Sequence, residues 1–248
     1  MLSSKRILVT GANGGIGNAI CKELLQNNAK LALLYNNNRD NIDSLLENFT
    51  NVQNNIKSWQ VDLLDSKKLE NTLELILETG PIDVLVHCAT LPVEPKNILD
   101  LNWEDYQSHI EIQTKSYLQI VKKLIPFMKS KHNGKIISIL SSYVIGKPPT
   151  SLSHYLVGKY SLLGLSKALA VELGPFGISV NCISPSMVDT KLTKKLPSKL
   201  KELTANQTPM KRLVVPEEIS SLVSSLCSTN FDYISGENIL ISGGSVMH

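Results

Sequence analysis

The chain has too little cysteine, and too scattered, for a disulfide scaffold or a zinc protein. Cys21, Cys88, Cys182 and Cys227 form no CxxC pair and have no histidine at ligand spacing. The expectation is therefore packed thiols in a reducing compartment, with no metal. No apolar run reaches the roughly 18 residues that a bilayer span needs. The first strand pattern starts at Arg6 and leaves no room for a signal peptide, so a cytoplasmic protein off the membrane is expected. An excess of either charge is also missing: 25 Lys+Arg stand against 22 Asp+Glu, and a net charge of +3 is too small for a nucleic-acid binder. Pro/Gly/Ser linkers and internal repeats are absent, which predicts one domain over residues 1–248. A hydrophobic share of 42% over 248 residues excludes disorder and is ample for a sizeable core.

What the chain does have is alternation. Short aliphatic or β-branched runs at Arg6–Thr10, Lys30–Tyr35, Ile56–Val61, Val84–His87, Lys135–Leu140, Ser179–Ile183 and Asn238–Ile241 read as strands. Between them, apolar residues recur at helical spacing, as in Ile16-Ala19-Ile20-Leu24 and Leu69-Leu73-Ile76-Leu77. Near-continuous apolar strands belong in a parallel sheet covered on both faces. Strand–helix alternation then implies a doubly wound α/β fold with right-handed crossovers. The stretch Asn27–Asn55 holds 10 of the 20 asparagines and suggests only loops and a solvated helix face.

The first strand runs into Thr10-Gly11-Ala12-Asn13-Gly14-Gly15-Ile16-Gly17, and a helix pattern follows at once. Glycines at such a turn let backbone approach a pyrophosphate, and the helix N-terminus presents N–H groups to it. Sites of this kind often carry a carboxylate at the end of the second strand for the adenosine ribose. Here Tyr35-Asn36-Asn37-Asn38-Arg39 stands there, with no acid. A guanidinium without a repelling acid favours NADP over NAD, although Arg39 at the start of a helix is an equally simple reading. Asp62, ending the third strand, is placed either to cap the next segment or to hydrogen-bond the adenine.

Tyr155 and Lys159 form a YxxxK pair at the head of a long helical pattern running to about Glu172. A spacing of four puts both on one helical face, where an ammonium stabilises phenolate and makes the tyrosine a proton donor and acceptor. Tyr143 and Lys147 match the same spacing, but Gly146 and Pro148-Pro149 forbid a regular helix there. Ser142 follows the fifth strand, 13 residues before Tyr155, where a hydroxyl would hold a carbonyl oxygen beside the phenol. Ser141 is its rival, and the spacing favours Ser142.

Together TGANGGIG at 10–17, Ser142, YxxxK at 155–159 and Pro185-Ser186-Met187-Val188-Asp189-Thr190 resemble the short-chain dehydrogenase/reductase family. The tail, with Pro209-Met210-Lys211-Arg212-Leu213, Pro216-Glu217-Glu218-Ile219 and Tyr233-Ile234-Ser235-Gly236, is most like the 3-oxoacyl-(acyl-carrier-protein) reductases. The resemblance covers almost the whole chain. It implies a Rossmann fold with a seven-stranded parallel sheet, an NAD(P) cofactor and a Ser-Tyr-Lys centre, most often in a homotetramer, otherwise a homodimer. By similarity Tyr155 is the general acid, Lys159 binds the nicotinamide ribose and tunes Tyr155, and Ser142 orients the carbonyl. Asn13, Ile16, Asp62, Ala89 and Thr190 match cofactor-contacting positions, beside the glycines Gly11, Gly15 and Gly17 of the turn.

Three departures from the family pattern stand out. His87-Cys88-Ala89-Thr90 replaces the usual NNAG, and Ser186 replaces the glycine of the usual PG turn. Aligning Pro126 with the usual helix end places Gln113 at the fourth catalytic position, where an asparagine holds a relay water near the lysine. His154, although next to Tyr155, is expected on a different helical face. Lys191, Lys194, Lys195, Lys199 and Lys201 read as a solvated face or as a docking patch for an acidic carrier protein. The expected activity is NADP(H)-dependent reduction of a ketone, a 3-oxoacyl thioester on a carrier protein, with no nucleic-acid partner. The alternatives are a dehydrogenase/reductase of a free small molecule and a non-catalytic cofactor-binding scaffold.

Overall fold

The structure is a computed structural model that describes residues 2, 3, 5–190, 193 and 197–247. Its elements alternate as the periodicity predicts: β1 (Arg6–Thr10), α1 (Gly15–Gln26), β2 (Lys30–Tyr35), α2 (Asp40–Asn48), β3 (Ile56–Gln60), α3 (Ser66–Glu78) and β4 (Val84–His87). Then come α4 (Trp103–Ile110), α5 (Ser116–Ser130), β5 (Gly134–Ile139), α6 (Ser153–Leu173), β6 (Ile178–Pro185), α7 (Ser198–Gln207), α8 (Pro216–Cys227) and β7 (Asn238–Ile241). The strands form one seven-stranded sheet in the order β3-β2-β1-β4-β5-β6-β7, and every pairing is parallel.

Side-chain alternation along each strand divides the core between two faces. Leu8 and Leu85 pack with Tyr117, Ile120, Leu124 and Leu162 under α3, α5 and α6. Ile7, Val9, Val84 and Val86 pack with Ile20, Leu24, Ile219 and Val223 under α1 and α8. Both sets are buried, which is why these strands read as unbroken apolar runs. The two edge strands are the exceptions: Lys57, Ser58, Trp59 and Gln60 of β3 are exposed or half-buried, and all four residues of β7 are half-buried.

The chain reverses its order of strand addition at β1, which lies between β2 and β4. A crevice beyond the carboxyl ends of the strands opens at such a point. Register puts Thr10 beside His87, and His87 beside Ser138. One expectation is corrected: Pro126 does not end its helix but lies inside α5, which runs on to Ser130. Pro126 and Lys122 are exposed, so the interrupted turn lies on the outer side of the helix, while buried Met128 anchors the last turn. Among the described residues, no helix is long and apolar enough to cross a membrane.

Candidate active site

The glycine turn is fixed by close approach. Gly11 has φ 66°, and a Cβ there would lie 2.9 Å from the backbone of Ala89 beyond β4. A Cβ on Gly17 would collide with the carbonyl of Gly11, so α1 starts tight against the turn. On Gly15 a Cβ would lie 2.9 Å from the side chain of Thr190, which brings Thr190 to the same cradle. Among the described residues no side chain caps α1, and no acid stands in its first turn. An uncapped helix start in a glycine cradle fits a pyrophosphate.

The loop after β2 closes onto this turn through three asparagines, Asn13, Asn38 and Asn41. Asn13 Oδ1 accepts from the backbone N–H of Asn41 at 3.0 Å, Asn41 Nδ2 donates to Asn13 O at 2.7 Å, and Asn13 Nδ2 donates to Asn38 Oδ1 at 3.1 Å. Of the three, only Asn41 carried no signal in the sequence beyond the local density of asparagine. Arg39 sits at the start of α2, exposed, with Nε donating to Asp43 Oδ1 at 2.8 Å. Its two terminal nitrogens make no hydrogen bond among the described residues. Asp62 is exposed and accepts from Leu64 N at 3.0 Å. The cap of α3 is Asp65, which accepts from Lys68 N, so capping is not the role of Asp62.

The second group of side chains surrounds Lys159. Tyr155 lies in the first turn of α6, and Lys159 one turn on is only 3% exposed. Lys159 Nζ donates to the carbonyl of Ile139, at the end of β5, at 2.8 Å, and to Gln113 Oε1 at 3.0 Å. Burial pushes Lys159 down to about 8. The ammonium lies 5.8 Å from the centre of the Tyr155 ring. The expected lowering of the phenol by Lys159 does not dominate: burial pushes Tyr155 up to about 12, and the Ser141 hydroxyl offsets part of the rise. Ser141 Oγ also accepts from Tyr143 N at 3.3 Å. Ser142 is buried at the start of the next turn, with no side-chain partner among the described residues. Tyr143 lies in that short turn and Lys147 beyond it, off any helix.

Gln113 is fully buried in a single π-helical turn, Glu111–Lys115, between α4 and α5. Such bulges widen a helix by one residue and often mark functional positions. Gln113 touches Lys159 directly, and its Nε2 donates to Thr90 Oγ1 at 2.7 Å. No separate relay group is needed for this contact. The replaced HCAT segment is equally engaged. Thr10 Oγ1 accepts from the N–H groups of Cys88 and Ala89, both at 3.1 Å, and lies 3.1 Å from His87 Nδ1. With both lone pairs used, the Thr10 hydroxyl donates to Nδ1, which assigns the His87 proton to Nε2. His87 Nε2 is buried with no hydrogen-bond partner among the described residues, and burial, helped by the nearby Lys159 charge, pushes His87 down to about 3. His87 is neutral.

His154 is buried, and its ring centre is 4.9 Å from that of His109, which is 6.0 Å from that of Tyr155. Both histidines line an open cavity of about 620 Å³ with Leu91, Glu94, Lys96 and Asp105. The Leu91–Leu99 loop thus borders space next to Tyr155. Of the lysine segment, Lys191, Lys194 and Lys195 lie outside the described residues. Lys199 is exposed at the start of α7, and Lys201 Nζ stands 3.6 Å from Asp189. Among the described residues, no three His, Cys, Asp or Glu side chains converge as metal ligands would.

Comparison with known proteins identifies the family. Residues 11–246 match a family model described as enoyl-(acyl carrier protein) reductase. The chain is 28% identical to the 3-oxoacyl-(acyl-carrier-protein) reductase FabG of Thermotoga maritima, with 99% of each chain covered. It is 30% identical to the human dehydrogenase/reductase SDR family member 4, covering 98% of this chain and 88% of that one. A mutant short-chain dehydrogenase/reductase of Serratia marcescens superposes with a TM-score of 0.88 at 25% identity, over 98% of both chains. The chain belongs to the short-chain dehydrogenase/reductase family, oxidoreductases that work with a nicotinamide cofactor.

Proposed function

We propose that this chain is an NADP-dependent reductase of 3-oxoacyl thioesters presented on a carrier protein. The observation that carries the reading is one cluster at the carboxyl edge of the sheet. Tyr155 and Lys159 on α6, Ser141 and Ser142 after β5, and the Gly11–Gly17 turn after β1 all meet there. The bound nicotinamide would supply hydride to the carbonyl carbon. Gly11, Gly15, Gly17, Asn13, Ile16, Ala89 and Thr190 would hold the dinucleotide, with Asp62 near the adenine. The missing acid after β2 and the two uncommitted nitrogens of Arg39 support a 2′-phosphate.

A phenol that holds its proton up to about pH 12 is a proton donor throughout the neutral range. Tyr155 gives that proton to the carbonyl oxygen as charge develops there. Ser141 steadies the phenol, and the Ser142 hydroxyl, without a side-chain partner among the described residues, would hold the substrate oxygen. Lys159 binds the nicotinamide ribose, and its positive charge stabilises the phenolate left behind. Gln113, by accepting from Lys159, keeps the ammonium in place.

The carrier-bound substrate is supported by the name of the Thermotoga relative. Reduction of a free ketone is the alternative. Exposed Leu118 and Phe127 on α5 and Val157, Tyr160 and Val171 on α6 support a homotetramer or homodimer. Free thiols at all four cysteines suit the cytoplasm. NADPH oxidation, followed against 3-oxoacyl groups on carrier protein, the same groups on a short thiol, and free ketones, tests the reading. The carrier form is expected to have the highest kcat/KM. Turnover confined to free ketones would replace this reading by the alternative, and no turnover of any would leave only a cofactor-binding scaffold.

A further inference from the structure

Lys159 can only donate hydrogen bonds, so the end of Gln113 that faces it must be the carboxamide oxygen. That choice turns the amide nitrogen the other way, where it needs an acceptor inside a fully buried site. Thr90 supplies it: Gln113 Nε2 donates to Thr90 Oγ1 at 2.7 Å, and Thr90 Oγ1 donates in turn to the carbonyl of Leu91 at 3.3 Å. Every donor in the chain Lys159–Gln113–Thr90–Leu91 points the same way, and the last acceptor is main chain. A flipped amide would set N–H against the ammonium and oxygen against a hydroxyl already committed to Leu91. Two of the positions that depart from the family pattern, Thr90 and Gln113, are thus the two ends of one contact.

We propose that Thr90 is a positioning residue, whose hydroxyl locks the Gln113 amide with its oxygen on the Lys159 ammonium. The consequence for Lys159 rests on the reading of this site as a reductase; the locking of the amide does not. The titratable groups facing Lys159 are His87 and Cys88 from the end of β4, Cys182 from β6, His109 from α4 and Tyr155 on its own helix. Burial keeps both histidines neutral, with values of about 3 and 4, and both thiols protonated, with values of about 11. None of them supplies a negative charge near neutral pH. The acceptors Gln113 Oε1 and Ile139 O therefore hold the proton on Lys159 against desolvation.

Thr90→Val removes the hydroxyl at nearly constant shape, and Thr90 is exposed, so the fold tolerates the change. In the cofactor-free protein, the Gln113 side-chain amide resonance, identified by its loss in Gln113→Ala, is expected to be protected from hydrogen exchange. Thr90→Val removes that protection and Thr90→Ser keeps it. In turnover, Thr90→Val lowers kcat by roughly tenfold with KM little changed. It also moves the alkaline limb of kcat down by about one pH unit, the scale of one hydrogen bond to a charged group. In a Gln113→Ala background, Thr90→Val has no further effect. Wild-type protection in Thr90→Val, a Thr90→Ser protein that behaves like Thr90→Val, or an undiminished effect without Gln113 would each overturn the proposal. A protein that turns over no ketone overturns the reductase reading instead, and the exchange measurement still decides the role of Thr90.

Discussion

The two halves of the site are built from different materials. Around β1, α1 and the loop after β2, the nucleotide side is backbone: a glycine at φ 66°, close approaches that exclude a Cβ, and asparagines that clip one loop to another. Around β4, the π-turn and α6, the catalytic side is made of side-chain contacts: Thr10 with His87, and separately the chain from Thr90 through Gln113 to Lys159. A backbone cradle admits few changes, because any added atom collides. A side-chain network admits replacement where donors and acceptors are exchanged together. That difference fits a glycine turn that keeps the family pattern beside a catalytic side that departs from it at residues 87, 88, 90 and 113.

The largest expected effect comes where the halves meet. Lys159→Met leaves Gln113 Oε1 and the Ile139 carbonyl without their donor and removes the charge opposite the phenolate. We expect kcat to fall at least about a hundredfold, the usual scale for losing one electrostatic stabiliser. Cofactor affinity should fall by a smaller factor in a direct binding titration. Equal losses in both would mean that Lys159 serves the nucleotide alone.

Arg39→Ala probes the nucleotide side by itself. Loss of a charge-assisted contact to a 2′-phosphate should weaken NADPH about tenfold or more, with NADH unchanged and kcat preserved. If the wild type uses NADH as well as NADPH, the guanidinium does no more than pair with Asp43.

His87→Asn gives the smallest effect and reads the catalytic side through stability. His87 has a folded value of about 3 against an ordinary 6.5, so below pH 6.5 the unfolded chain binds the proton and the folded one does not. Stability is therefore intact above pH 6.5 and declines as pH falls towards 3. At pH 5 His87 accounts for about 2 kcal/mol of that decline. The thermal midpoint of His87→Asn should fall less steeply than that of the wild type between pH 6.5 and 4. Parallel slopes would show that His87 takes up its proton in the folded protein.

The sequence made the backbone half legible because its cause is local. Seven strands stand within a few residues of where aliphatic runs placed them, and the turn at Gly11–Gly17 carries its own chemistry. Tyr155 and Lys159 were legible for the same reason, since one helical turn joins them. The catalytic network was not legible, because its contacts span 23 residues from Thr90 to Gln113 and 46 from Gln113 to Lys159. Both anomalies showed in the sequence, but nothing in the spacing said that they touch. Pro126 misled about where α5 ends because an exposed proline within a well-anchored helix costs less than a buried one. The sign of the Tyr155 shift was missed because it depends on burial, which a motif does not encode.

Tyr155→Phe, measured beside the wild type for NADPH binding and for NADPH oxidation with a 3-oxoacyl thioester, tests most directly that this cluster transfers a proton. The phenol is needed only as the carbonyl oxygen gains charge, so kcat should fall by about 10²–10⁴-fold while NADPH affinity stays within a few-fold of wild type. A variant that keeps more than about a tenth of wild-type kcat would contradict general-acid catalysis by Tyr155.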